Sequence, residues 1–195
     1  RESNSVSLDY LTFVAEFAFS ALLDPQQIGR LRHQIGSIAF IESGGVAGYV
    51  KFAHEEIQDR FLVRGVIKRL SDGSLPASLR RSIFGSDRIA IYADEMRSIS
   101  VTKAAAITAF LIRTVEEMPG SVTLSGNCTC LVVSSVSFGG HDRNKLDLSG
   151  YFASDVALRG ECSSACLTDC TVLRLDARNA DISNVEWVGG SVDAL

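Results

Sequence analysis

Apolar and polar residues recur on two different periods along this chain. Up to Pro119 the pattern is helical in most places. Leu8–Leu23 is a strongly apolar run that predicts a helix buried on most sides. Asp24 and Pro25 read as N-cap and first turn of a second helix, through about Gln34. β-rich flanks around Gly44-Gly45 predict a hairpin. A helix from about His54 to Leu70 follows, with Glu55, Glu56 and Asp59 early and Lys68 and Arg69 late, the order that complements a helix dipole. Its predicted apolar face is Ile57, Phe61, Leu62, Ile67 and Leu70. Shorter helices are predicted at Pro76–Ile83, Arg88–Met96 and Lys103–Met118, and Pro119-Gly120 marks a boundary.

Beyond that boundary the period is five, which fits neither an amphipathic helix nor a strand. Step centres fall at Cys162, Leu167, Val172, Ala177, Ile182, Trp187 and Val192, each preceded two places earlier by another small or apolar residue. An upstream frame, offset by one residue, starts at Cys128 and runs through Leu158. It fails only at His141 and Arg143, where GGHDRNK reads as a bulge. Four such steps would close one turn of a square coil, a solenoid stabilised by stacking. In this frame Cys162, Leu167, Val172, Ala177, Ile182 and Trp187 form the coil interior. Ile182→Asp should therefore unfold the last coils, and Asp181→Ala should be nearly silent.

The step Ala180-Asp181-Ile182-Ser183-Asn184 resembles the pentapeptide-repeat pattern A-[D/N]-L-x-x. That resemblance implies a right-handed quadrilateral β-helix over residues 120–195. The expected fold class is thus α+β: a helical region with a β-hairpin over residues 1–119, then the β-helix. A second resemblance lies upstream, in Val50-Lys51-Phe52-Ala53-His54-Glu55-Glu56-Ile57-Gln58-Asp59-Arg60-Phe61-Leu62-Val63-Arg64. It is similar to a segment that follows the winged helix in STAND-type NTPases with a NACHT module. Phe52, His54, Glu55, Gln58 and Phe61 match that segment; Ile57, Arg60 and Val63 depart from it. The resemblance implies a non-catalytic regulatory or sensor fragment of a larger signalling or defence ATPase, with repeats in the sensor position.

Charge and chemistry narrow the function classes. Net charge is −4, and residues 120–195 carry the excess, with nine acidic against five basic residues. That surface argues against nonspecific nucleic-acid binding, which needs cations to neutralise phosphates. No G-x-x-x-x-G-K-[ST] loop and no G-x-S-x-G elbow occurs, so no catalytic or cofactor-binding residue is assigned and the fragment is not read as an enzyme. Ser134, Ser135, Ser137, Ser163 and Ser164 read as satisfying backbone groups in turns. The five cysteines (Cys128, Cys130, Cys162, Cys166, Cys170) lack a Cys-x2-Cys pair, so no metal site is assigned; Cys130 and Cys166 are expected at the surface or a corner. An odd, clustered set points to a reducing cytoplasm. Leu11–Leu23 is too short, and is broken by Glu16, to span a bilayer. The start at Arg1 suggests a piece of a larger protein. Expected partners are a protein or the NTPase core of the parent chain, with homo-oligomerisation left open. The alternative is a free-standing pentapeptide-repeat protein acting as a DNA mimic or adaptor, against which Arg159, Arg174 and Arg178 interrupt the acidic rows.

Overall fold

A computed structural model describes residues 6–7, 26–27, 30, 41–43, 47–118, 121–135, 146–147, 152–162, 166–168, 170–183, 186–189 and 191–194. The predicted helix Leu8–Leu23, most of the following one, and the GGHDRNK bulge lie outside the described residues. The chain divides into two compact units, Arg1–Gln58 and Asp59–Leu195.

In the first unit, β1 (Val6–Ser7), β2 (Ile41–Ser43) and β3 (Tyr49–Phe52) form an antiparallel sheet in the order β1-β3-β2. Ile41 pairs with Phe52 and Ser43 with Val50, so an antiparallel pair flanks Gly44-Gly45 as the sequence predicts. Gly48 takes a φ of 80°, a left-handed conformation that a side chain would strain. After β3, the His54 carbonyl accepts from the amides of Ile57 (3.2 Å) and Gln58 (3.3 Å), starting helix α1 (Glu55–Ser71).

The second unit contains the rest of α1, then α2 (Ser78–Arg81), α3 (Ser86–Met96), α4 (Val101–Glu117) and α5 (Val122–Ser134). Each long helix buries residues three and four apart. They are Val63, Val66, Ile67 and Leu70 on α1, Ile89, Tyr92, Ala93 and Met96 on α3, and Ala104, Ile107, Thr108 and Leu111 on α4. Phe61 is not on the buried face of α1. It lies two residues before Val63, hence about 200° round the helix, and is 52% exposed.

Helix α5 is the centre of this unit, packing against α2, α3, α4 and β5. Enclosed on several sides, it buries Leu124, Asn127 and every residue from Cys128 to Ser134. That enclosure explains why the first two upstream step centres, Cys128 and Val133, and their pre-centres, Gly126 and Leu131, looked regular. A helix apolar nearly all round satisfies a five-residue frame as readily as a helical one. Helix α5 and the strands after it belong to the same compact unit, Asp59–Leu195.

The strands that follow are β4 (Leu146–Asp147), β5 (Phe152–Ala157), β6 (Gly160–Glu161), β7 (Cys166–Thr168), β8 (Thr171–Asp176), β9 (Ala180–Asp181), β10 (Glu186–Val188) and β11 (Ser191–Ala194). They pair in parallel as small sheets ordered β4-β7-β10, β5-β8-β11 and β6-β9. Ala153, Val172 and Val192 stack in register, as do Leu146, Leu167 and Trp187. The expected right-handed quadrilateral β-helix is corrected on this evidence. Its first steps are helix α5, and the strands form separate open sheets rather than a closed four-sided coil. The whole is a mixed α/β fold.

Candidate functional site: a charged groove between α3 and the parallel strands

Helix α3 packs against β5, and β5 pairs with β8. This juxtaposition brings Asp87 and Asp94 of α3 towards Asp155 of β5, Arg174 and Asp176 of β8, and the corner residues Arg159 and Arg178. A groove of about 290 Å³ lies here, with Asp155, Asp176, Arg174 and Arg178 among its walls and Ile89 and Val156 on its apolar side.

Arg159 is the fixed point of the cluster. It is only 4% exposed, and its guanidinium makes four hydrogen bonds to oxygen. Its Nε donates to Asp94 Oδ1 at 3.2 Å and its Nη2 to Asp176 Oδ2 at 2.7 Å. Its Nη1 donates to the Leu158 and Asp176 carbonyls at 2.8 and 3.1 Å. Arg178 adds a fork on Asp176, with Nε at 2.9 Å and Nη2 at 2.8 Å, and its own amide donates at 3.0 Å. The Arg178 fork, the Arg159 guanidinium and the Arg178 amide together hold the Asp176 carboxyl far below the usual carboxylate range. The turn that makes this possible puts Asn179 at φ 62° and accepts Gly160 N on the Asn179 carbonyl at 3.0 Å. Asn is among the few side chains that tolerate this conformation.

Asp155 stands apart from this network. Its side chain is buried, and Arg174 Nη2 approaches Oδ1 at 2.8 Å. The contact lacks hydrogen-bond geometry, and Oδ1 has no other hydrogen-bond partner. The pairing is Coulombic and undirected.

A second charged cluster joins α1 to α3. Glu95 accepts from Arg60 at 3.0 Å and from Arg64 at 2.9 Å, while Arg88 donates to Asp59 at 2.7 Å. With Arg60 and Arg64 about half or more exposed, these are positioning contacts of modest strength.

The structure scatters the residues singled out from sequence. Phe52 ends β3, His54 and Glu55 are exposed at the start of α1, and Gln58 is half-buried one turn on. Of the predicted coil interior, Cys162 (1% exposed) and Val172 (0%) are buried, and Ala177 is half-buried. Leu167 and Trp187 are paired neighbours on β7 and β10. Ile182 is corrected: at 43% exposure it lies outside, where the backbone turns after β9 and Ser183 donates to Asp181 Oδ1 from both N (3.0 Å) and Oγ (2.7 Å).

Cys130 is also corrected. Because it sits on helix α5 rather than on a coil step, it is 1% exposed, its thiol 3.7 Å from Ser154 Oγ. Burial pushes Cys128 up to about 12 and Cys170 up to about 11, and raises Cys130 as well. Of the five serines, Ser137, Ser163 and Ser164 lie outside the described residues, and Ser134 and Ser135 make structural hydrogen bonds. Ser134 Oγ accepts from Ala157 N at 3.0 Å; Ser135 Oγ donates to the Leu131 carbonyl at 2.7 Å and shares a 2.8 Å hydrogen bond with buried Tyr92. Among the described residues no group of three His, Cys, Asp or Glu side chains is arranged to hold a metal ion, and no helix is long and apolar enough to cross a membrane.

The groove was missed because its arginines read as breaks in an acidic surface. The available signal was register: Asp155 and Arg174 occupy matched places on neighbouring strands. No family model, curated protein or solved structure matches the chain.

Proposed function

We propose that this chain is a non-catalytic regulatory or sensor part of a larger, cytoplasmic signalling or defence NTPase. It recognises a protein partner through the strand-rich surface that follows helix α5. The observation that carries the reading is how the polar side chains of the second unit are engaged. Asp94, Arg159, Asp176, Arg178, Ser134, Ser135 and Asn127 are bound to one another or to backbone, which suits a scaffold that presents a surface. Support also comes from the Phe52–Phe61 segment, which runs from the end of β3 into α1. Phe152, Ile182 and Val188 are exposed at 52%, 43% and 44%, apolar contact area that recognition would use.

The test is the coding sequence upstream of Arg1. A phosphate-binding loop followed by a magnesium-binding acidic strand is the expected result, with no ATP turnover by residues 1–195 alone. A start codon within a few residues of Arg1 would sink the NTPase reading.

A further inference from the structure

Asp155 Oδ1 is the single buried side-chain nitrogen or oxygen among the described residues that no hydrogen bond satisfies. Buried polar groups nearly always find a partner, and a buried carboxylate has the strongest need of one. Its neighbour across the strands, Arg174, supplies charge without a directed bond and keeps 66% of its side chain in solvent. The other two arginines of the cluster are held elsewhere: Arg178 forks onto Asp176, and Arg159 bridges Asp176 and Asp94. Asp155 Oδ1 therefore has an ion-pair partner but no directed donor, in a residue that lines an open groove.

Three features define what would fit. The unmet group is an acceptor, so the ligand brings N–H donors. The groove holds Asp87, Asp155 and Asp176 against Arg174 and Arg178, and Arg178 is already committed to Asp176, so the ligand is a cation. The volume, about 290 Å³, lies at the small end of ligand sites, which run from roughly 300 to 1,000 Å³. That is room for one long side chain and not for a nucleotide.

We propose that this groove receives a basic side chain, arginine or lysine, of a partner protein. The incoming group displaces Arg174 from Asp155 and donates directly to Oδ1. Arg174 acts as an internal competitor that covers the carboxylate until the partner arrives. A guanidinium suits the site best, because its planar fork reaches a carboxylate with two parallel donors. The inference rests on the partner-recognition reading and names the chemistry of its contact.

The experiment uses the whole chain with two capped tripeptides, Gly-Arg-Gly and its uncharged citrulline counterpart. Binding is read by calorimetry and by shifts of the groove's amide signals. The arginine peptide should bind at least tenfold more tightly than the citrulline peptide, with shifts centred on β5 and β8. Arg174→Gln should tighten binding several-fold, and Asp155→Asn should weaken it at least tenfold. Because Arg174 is exposed, its variant keeps the test valid even if Asp155→Asn fails to fold. Equal affinity for the two peptides, no binding at millimolar concentration, or weaker or unchanged binding by Arg174→Gln would overturn the proposal. Those failures leave the regulatory reading intact, since that is decided by the upstream coding sequence.

Discussion

Arg159 Nη2 donates to Asp176 Oδ2 at 2.7 Å, and the same guanidinium reaches Asp94 on helix α3 at 3.2 Å. One buried cation thus fastens a strand corner both to the next strand and to the helical layer. Asp176→Ala would leave Arg159 with Asp94 and two carbonyls, and would release Arg178. A loss of about 2–3 kcal/mol is expected, below the roughly 3–5 kcal/mol of a fully buried pair because a quarter of the Asp176 side chain is exposed. Urea denaturation at neutral pH measures it. A change under about 0.5 kcal/mol, the range of an ordinary surface substitution, would contradict the role assigned to this pair.

The same carboxylate sets a pH dependence. Asp176 is held well below its ordinary value of 3.8, so the folded state binds its proton less readily than the unfolded state. Its contribution is fully present above the unfolded value and is lost as pH falls below about 4, towards the folded value. Stability measured from pH 6 downwards should decline through this window. In Asp176→Asn the decline should be shallower; an unchanged slope would remove Asp176 as its source.

Asn127 gathers the α2–α3 segment onto helix α5. Its Oδ1 accepts from Phe84 N at 2.8 Å, and its Nδ2 donates to the Leu79 and Ser82 carbonyls at 2.9 and 2.8 Å. Asn127→Ala should cost about 2–4 kcal/mol, since two buried backbone groups and one part-buried carbonyl lose their partner. Asn127→Asp should be at least as harmful, because a carboxylate would face two carbonyl oxygens with no proton to offer. Thermal melts of the two variants separate the outcomes: full recovery in Asn127→Asp would show that only the Phe84 bond matters.

The thiols report on the packing of α5. Cys128, Cys130, Cys162 and Cys170 are buried, and the first and last have pKa values pushed up to about 12 and about 11. At pH 8 these groups carry little thiolate and are shielded from reagent. Iodoacetamide should leave all four unmodified in the folded protein and label them in denaturant, as read by peptide mass spectrometry. Rapid native labelling of Cys128 or Cys130 would contradict the enclosure of helix α5.

The strand positions allow a paired comparison. Ile182→Asp should now cost less than about 1 kcal/mol, because its side chain is 43% exposed. Val172→Asp places a carboxylate where exposure is 0%, between Ala153 and Val192, and should abolish folding of the strand region. Circular dichroism with melting distinguishes them, and similar behaviour of the two variants would contradict the register.

Much of the helical layer was legible from sequence, because amphipathic helices declare themselves through spacing. The predicted Arg88–Met96 and Lys103–Met118 correspond to α3 (Ser86–Met96) and α4 (Val101–Glu117) within two residues at each end. Helix α5 was not legible, since a segment enclosed on several sides has no polar face to mark its period. Only the packing of α2, α3, α4 and β5 around it decided that Cys128–Ser134 is helical interior. Likewise the sequence marked single inward positions such as Cys162 and Val172, which are buried, as local apolar chemistry does. Which stretch lies beside which is a matter of long-range pairing, and that pairing brought Arg174 to Asp155 and Arg159 to Asp176. The candidate site is therefore a product of tertiary structure: its charges come from separate segments and acquire meaning only where the chain stacks them.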